Sequence, residues 1–481
     1  MHILIVGAGL GGLSAGLCFA RRGHAVELLE QRDTLTPAGG GLHIRPPASR
    51  ILHAWGLRPD LERIGEDTAA AVYRSLRTGR VATRSIAADA AEDPDWGAQR
   101  SDVVAVLYRR AREAGVRFGF GTTVTAVADE GKKAKATATA VLAGGGETRE
   151  VQADLILVAD GIRSRLRPQV LRDLPGGPWD PVASDLTLYG VELELDTELP
   201  LPDDAAAAAA LRPLSDQGAA YLNVYLGRDR WVVARYYAKL RRQGLLFGVR
   251  GETDQAGMWD ERGDLGFVRA RFADACPELR AALGAATACD RWKLAEMPEL
   301  PRWTSEGGRV LLLGDSAHAM HPNAAQGFSQ IVEDIGVLEY LVSQSSPESA
   351  SASDSESDSV SARVPRITSV WEEIRKPRVR RIQDWARFNS ALFIGGTAVA
   401  AAEASKSKKT NEKGSSDDDD EEEEDGREIS GGGGGWQVRS LKHKAPDMNA
   451  DFNSSAFLKW AQSYDAVGEA QKYLQSRKPR L

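Results

Sequence analysis

The chain has 481 residues, 42% of them apolar and 27% charged, with a formal net charge of −7. That length supports a sizeable core divided over two or three lobes, and the mild acidity gives no general affinity for nucleic acid. Three cysteines, Cys18, Cys276 and Cys289, stand far apart without CxxC spacing. This excludes a disulfide framework and a cysteine-based zinc site, and it predicts a protein of the reducing cytoplasm with no metal centre.

The N-terminal stretch MHILIVGAGLGGL has glycines spaced for a turn and reads as folded chain, with no secretory leader. No apolar run reaches the roughly 18 residues of a membrane span. The nearest, Ala391 to Ala404, reads as a buried or surface helix. His2 to Val6, Leu10 to Arg22 and Ala25 to Glu30 alternate strand, helix and strand, which predicts a βαβ unit and a parallel sheet. A helix is expected over Ser101 to Ala114, a strand over Thr123 to Ala128, an exposed hairpin over Lys133 to Val141, and a buried strand over Leu155 to Ala159. Leu186 to Leu195, Ala219 to Leu226 and Trp231 to Tyr237 read as strands of a mostly antiparallel sheet forming one wall of a pocket. Val310 to Leu313 returns to a buried strand. Phe328, Ile331, Ile335, Leu338 and Leu341 then recur at helical spacing.

Ser343 to Ser361, and Glu403 to Gly435 with its nine consecutive acids and five consecutive glycines, are too polar to offset their ordering entropy and are expected to be disordered. Between them Trp371, Ile374, Val379, Ile382 and Trp385 predict a helix around Pro377. Ala456 to Leu474 predicts a terminal helix. The division expected is 1–185 and 301–342 as a nucleotide-binding domain, 186–300 as an inserted sheet, and 364–402 and 447–481 as C-terminal helices. The stretches 343–363 and 403–446 are expected to be disordered insertions.

Three segments carry chemistry. Gly7-Ala8-Gly9-Leu10-Gly11-Gly12 follows a strand and opens a helix, with Glu30 at the end of the next strand. Gly7 permits the tight turn, Gly9 a close backbone approach to a pyrophosphate, and Gly12 close helix–strand packing. Glu30 is placed to accept from an adenosine ribose, which favours FAD or NAD. Asp154 to Arg167 is a second strand, with an Asp160-Gly161 turn whose Arg163, Arg165 and Arg167 are candidates for a nicotinamide nucleotide phosphate. Val310 to His318 is a third strand, ending in Gly314-Asp315. Its carboxylate can bond a polyol such as a flavin ribitol. Gln326-Gly327 then opens a helix whose dipole would favour negative charge on a reduced flavin.

In this order the glycine fingerprint, DG segment and GD segment resemble the single-component FAD-dependent aromatic hydroxylases. The chain is similar within them to the salicylate hydroxylase-like fungal monooxygenases. GGLHIRPPASRILHAWGL near residue 40, QRSDVVAVL near 100, DRWKLAEMPELPRW at 290–303, and IRKPRVRRIQ and FLKWAQSYDAVGEA near the C-terminus extend the likeness. The resemblance implies an α/β fold: a Rossmann-type FAD-binding domain, an inserted mostly antiparallel substrate sheet and a C-terminal helical segment. It implies that Gly7, Gly9, Gly12, Glu30 and Gly41 border the FAD and that Arg100 reaches it. Asp160 would serve both FAD and NAD(P)H, Asp315 the ribitol and pyrophosphate, and Pro322 and Gly327 the isoalloxazine. The implied reaction uses NADPH or NADH and molecular oxygen to hydroxylate a phenolic, polyketide-type small molecule through a flavin C4a-hydroperoxide.

The chain departs from the family pattern at Ala159, at Ala325-Gln326-Gly327 and Ser329, and more seriously at Tyr189-Gly190 and Arg235-Tyr236. At Tyr189-Gly190, relatives carry an arginine that orients the substrate. Arg235 and Tyr237, with Tyr221 and Tyr225, lie on predicted strands. Arg235 and Tyr237 are the candidates for contact with a phenolate. His318 and His321 read as turn or capping histidines. Alkene or terpenoid epoxidation on the same scaffold stays open, as does a non-catalytic FAD-holding protein. An NAD-dependent dehydrogenase would lack the second Gly-Asp site.

Overall fold

The computed structural model describes residues 1–35, 40–86, 93–130, 135–142, 146–177, 179–194, 205–255, 257, 261–345, 360–395 and 451–477. Its first layer is a five-stranded parallel sheet. In spatial order the strands are Val310–Leu312, Leu155–Val158, His2–Val6, Ala25–Leu29 and Arg117–Gly119. Runs such as Leu-Ile-Leu-Val at 155–158 are buried along their whole length, as a parallel sheet covered on both faces requires. Helices Leu10–Arg21, Arg100–Glu113 and Gly327–Gln344 supply cover, and their apolar faces join the strands in one large core.

The second layer is an eight-stranded sheet, with the expected Val182–Glu194, Tyr221–Gly227 and Arg230–Tyr237 among its strands. It also draws in Ala70–Ser75 and Val81–Ile86 from the N-terminal part of the chain. Ala70–Ser75 pairs in parallel with Tyr221–Gly227, about 150 residues away in sequence. Period-two alternation splits its faces. Tyr189, Val191, Tyr225 and Phe247 pack against helices Leu265–Arg271 and Pro277–Ala285. Leu188, Val224 and Trp231 face the other way, toward Phe393. Two three-stranded sheets complete the β-structure of the described residues. One holds, where an exposed hairpin was expected over Lys133 to Val141, the single strand Ala136–Leu142 paired on both edges, with Ala136, Ala138 and Ala140 buried; residues 133–134 lie outside the described residues. The other joins Gly41–Ile44, Trp96–Gln99 and Glu66–Asp67.

The helix around Pro377 is far longer than its apolar pattern suggested, running from Val360 to Gly395 with both Pro365 and Pro377 inside it. Its last residues, from Ala391, take in the start of the expected Ala391–Ala404 helix; the remainder of that stretch lies outside the described residues. The ends of the Ser343–Ser361 stretch belong to the helices ending at Gln344 and beginning at Val360, while 346–359 and all of Glu403–Gly435 lie outside the described residues.

The single terminal helix expected over Ala456 to Leu474 is two helices, Ser455–Ser463 and Ala466–Arg477. Asp465 causes the break. Its Oδ1 accepts from Gly468 N at 2.9 Å and its carbonyl from Glu469 N at 2.9 Å, so it caps a new helix. No helix among the described residues is long and apolar enough to cross a membrane.

Candidate active site

One continuous cavity of about 670 Å³ runs from the C-terminal ends of the parallel strands to the face of the eight-stranded sheet. At its first end lies the glycine turn. Gly7 has φ +102°, and a Cβ there would stand 2.6 Å from the Ala159 carbonyl oxygen. A Cβ on Gly12 would overlap the Gly7 carbonyl oxygen, whereas one on Gly9 would meet no protein atom within 4 Å. Packing therefore demands two of these glycines, and the third faces open space. Glu30 is fixed by backbone donors, Ala8 N to Oε2 at 2.7 Å and Arg32 N to Oε1 at 3.0 Å, which leaves each oxygen with acceptor capacity.

Two more strand ends open beside it. Asp160 follows Leu155–Val158, and its Oδ1 is buried without a hydrogen-bond partner among the described residues. Burial raises its carboxyl above the usual range, opposed by Ser164 and Arg167. Asp315 follows Val310–Leu312 through Gly314, at φ +65°, and is exposed to the cavity. Ser316 joins the two strands, its Oγ donating to Val158 O at 2.6 Å and accepting from Leu313 N at 2.9 Å.

Arg167 is not a nucleotide-phosphate donor, because it is fully buried. Its Nε bonds Ser316 O and its NH2 bonds Ile162 O, each at 2.7 Å, so it clamps the two aspartate turns together. Arg163 and Arg165 are exposed. Arg100, the first residue of its helix, is exposed at the cavity beside Gly40 and Gly41.

Between the strand ends and the second sheet lies the loop Pro322–Gly327. Ala325 has φ +51°, and a Cβ on Gly327 would meet open space. Arg45 holds this loop through Nε to Ala325 O at 3.3 Å and NH2 to Ala324 O at 3.2 Å. Its NH1 bonds Asp95 Oδ2 at 2.6 Å, and Asp95 Oδ1 bonds His43 Nδ1 at 3.2 Å. Burial alone would raise Asp95, but Arg45 and His43 outweigh it and hold the carboxyl down to about 2. Burial pushes the His43 imidazole down to about 4 against the pull of Asp95. Its Nε2 has no partner among the described residues, and His43 lines the cavity. This trio was missed in the sequence, although His43 and Arg45 stand in the GGLHIRPPASR stretch. Only the pairing of two short strands brings Asp95 to them.

Arg235 and Tyr237 line the cavity but are committed to the scaffold. Arg235 NH1 bonds Thr68 Oγ1 at 2.7 Å, and its NH2 bonds Glu66 O at 2.9 Å and Ala219 O at 3.1 Å. Tyr237 donates weakly to Ala98 O at 3.4 Å. Its hydroxyl occupies the space a side chain at Gly41 would need, and burial pushes it up to about 12. Tyr225 lies on the opposite face of the sheet. His318 and His321 engage different partners, Asp334 at 2.7 Å and Ser390 at 3.0 Å.

The site fits a flavin dinucleotide. The protein leaves space at Gly9 and Gly327, keeps an orphaned carboxylate oxygen at Asp160, presents the N-terminus of the Leu10–Arg21 helix, and holds ribose- and ribitol-type acceptors at Glu30 and Asp315.

Residues 1–217 match the family described as FAD binding domain. The FAD-dependent monooxygenase OpS4 of Beauveria bassiana (strain ARSEF 2860) is 30% identical over 388 residues, covering 79% of this chain and 83% of that protein. A 6-hydroxynicotinate 3-monooxygenase of Bordetella bronchiseptica is 26% identical over 403 residues, covering 80% and 94%. Among solved structures, CtdE in complex with FAD and substrate 4 superposes with a TM-score of 0.73 at 18% identity over 99% of this chain and 98% of that one. A salicylate hydroxylase substrate complex superposes at 0.65 and 18% over 86% and 96%. With the Gly7–Gly12 turn, the two aspartate strand ends and a sheet-floored cavity beside them, the chain belongs to the FAD-dependent monooxygenases of the aromatic hydroxylase type.

Proposed function

We propose that this protein hydroxylates a phenolic small molecule, drawing electrons from NADPH or NADH and one oxygen atom from O2. The supporting observation is that the Pro322–Gly327 loop, the His43–Asp95–Arg45 trio and the apolar face of the second sheet all border one cavity. Bound FAD supplies reduction by the nicotinamide and activation of oxygen.

The chain's own groups do the rest. Gly7, Gly9, Gly12 and Glu30 hold the adenosine diphosphate, with Arg100 reaching in from its helix. Asp315 holds the ribitol, and Asp160 faces the junction with the nicotinamide nucleotide. Pro322 and Gly327 border the ring, and the dipole of the Gly327–Gln344 helix favours negative charge there. His43, kept neutral by burial and oriented by Asp95, offers Nε2 as acceptor of a hydrogen bond from a phenol hydroxyl, which raises electron density on the ring carbons that are to be hydroxylated. An alkene has no such hydroxyl, which favours hydroxylation over epoxidation. In this reading the parallel sheet carries the cofactor and the eight-stranded sheet the substrate.

The test is the visible spectrum of the purified protein before and after anaerobic NADPH or NADH, followed by 18O2 turnover with candidate phenols. Expected are an oxidised-flavin spectrum that bleaches and product carrying one 18O atom. A protein that FAD cannot reconstitute, or whose nicotinamide oxidation no phenol stimulates, refutes the proposal.

A further inference from the structure

We propose, resting on the hydroxylase reading above, that the substrate is an uncharged molecule of more than one ring and not a single-ring carboxylate. The first reason is the extent of the floor. Residues of six neighbouring strands line the cavity, from Trp292 at one side to Tyr73 at the other. Five inter-strand steps of about 4.8 Å make this floor ~24 Å wide, several times a benzene ring. Most of its side chains are apolar, among them Leu188, Leu222, Val224, Val233 and Trp292, with Phe393 of the long C-terminal helix opposite.

The second reason is charge. A carboxylate brought out of water onto such a floor needs a cation with donors to spare. The two arginines lining this part of the cavity, Arg45 and Arg235, spend both terminal nitrogens on Asp95, Thr68 and backbone carbonyls, which leaves only the buried Nε of Arg235 without a partner among the described residues, a single N–H where a carboxylate needs a two-pronged donor. Gly190 cannot contribute a side chain either. A Cβ there would stand 2.7 Å from Trp292 Cη2, so the indole fills the space beside that strand. The charged side chains that line the cavity from the two strands at this end, Glu192 and Asp290, are acids; the cation beside them, Arg242, is paired with Glu192 at 3.5 Å and does not line the cavity, so this end offers a carboxylate no free positive charge. What remains for a substrate oxygen is neutral: the His43 Nε2 and, on the C-terminal segments across the cavity, Asn389, Asn453 and Gln462 among others. These suit a hydroxyl or ketone.

The test uses the FAD-loaded protein without nicotinamide, titrated at neutral pH and followed by the shift in flavin absorbance. The probes are salicylate, 4-hydroxybenzoate, phenol, 4-phenylphenol and 2-naphthol. The two-ring neutral phenols are expected to bind at least tenfold tighter than either carboxylate and tighter than phenol. Trp292→Ala is expected to weaken 4-phenylphenol about tenfold and to leave salicylate unchanged. If that variant loses its fold or its flavin, the order of the wild-type constants decides alone. Tightest binding by salicylate or 4-hydroxybenzoate, or by phenol over the two-ring probes, overturns the proposal. A two-ring phenol that binds tightly but never stimulates nicotinamide oxidation counts against the hydroxylase reading and leaves the substrate class standing.

Discussion

Gly9 and Gly12, three residues apart in one turn, give the sharpest prediction, because they are constrained by different things. A Cβ on Gly12 would overlap the Gly7 carbonyl oxygen, stand 3.1 Å from its carbon and 3.3 Å from Ile5 Cγ2. The neighbours are backbone and a buried strand, so relief means lifting the Leu10–Arg21 helix off the sheet. Overpacking of this kind costs about 1–3 kcal/mol, from which the better helix propensity of alanine returns about 0.5–1 kcal/mol. Gly12→Ala should therefore lower the melting temperature of the FAD-free protein by a few degrees and weaken FAD as well.

Gly9 sits at φ −76°, which alanine adopts freely, and its Cβ would meet no protein atom within 4 Å. Gly9→Ala should leave the FAD-free protein as stable as the wild type. Its methyl occupies the space through which a phosphate approaches the helix N-terminus. Losing one hydrogen bond to a charged group costs about 1.5–3 kcal/mol, an affinity loss of roughly 10- to 150-fold. The assay pairs thermal melting of protein stripped of FAD with titration of FAD by quenching of its fluorescence. A Gly9→Ala protein that melts early without FAD, or that binds FAD as tightly as the wild type, would refute the reasoning.

Three further outcomes are expected. His43, held at about 4 against 6.5 for an unperturbed imidazole, stays neutral while the unfolded chain takes up a proton. Stability is thus lost as pH falls from about 6.5 to about 4, by about 3 kcal/mol in all. His24, lowered likewise to about 4, and His53, also lowered, add slopes of the same sign, so His43→Gln should make the fall in melting temperature over that window shallower; an unchanged slope would count against a buried neutral His43. Arg375, fully buried, bonds Glu333 Oε2 and Asp334 Oδ1 at 2.8 Å each. Arg375→Met takes a cation from two buried carboxylates, leaving Glu333 with Arg378 and Asp334 with His318, and should cost about 3 kcal/mol in urea unfolding, less if Glu333 is also changed to Gln. Ser454 caps the Ser455–Ser463 helix, its Oγ accepting from Phe457 N at 3.1 Å. Ser454→Ala should cost about 1 kcal/mol and speed proteolysis near residue 454 ahead of global unfolding.

How much of this was legible in the sequence depends on the distance over which each feature is determined. The first strand, glycine turn, helix and Glu30 lie within thirty residues and obey local rules of φ, packing and dipole, so they could be read directly. The aspartates at 160 and 315 were readable for a related reason, since each ends a short apolar strand and strand ends converge at one edge of a parallel sheet. Arg235 shows where such reading stops. Its alternation on Arg230–Tyr237 indicates which face it is on, but not that Thr68, Glu66 and Ala219 would be brought to its guanidinium. The same holds for Asp95, which reaches His43 only through the pairing of Gly41–Ile44 with Trp96–Gln99, and for the parallel pairing of Ala70–Ser75 with Tyr221–Gly227. The break at Asp465 is local, yet the apolar positions of the two helices run on across it, so periodicity alone conceals it.

The buried arginines show a common logic. Arg45 joins the Pro322–Gly327 loop to Asp95, Arg167 joins the two aspartate turns, Arg235 joins the second sheet to the small one, and Arg375 joins the Gly327–Gln344 helix to the long C-terminal helix. Each stands where carbonyls or carboxylates of separate elements converge and need donors. A guanidinium, with five donors in a rigid plane, satisfies several of them at once, where a lysine offers one mobile point charge. Such clamps fix the cofactor end and the substrate floor relative to each other, and that fixed separation is what an oxygen transfer across the cavity requires. The same clamps withdraw positive charge from the substrate's reach. The arginines on the wall at the second sheet, Arg45 and Arg235, thus hold the scaffold together beside a largely apolar floor, and counting cationic residues along that wall would give the opposite impression.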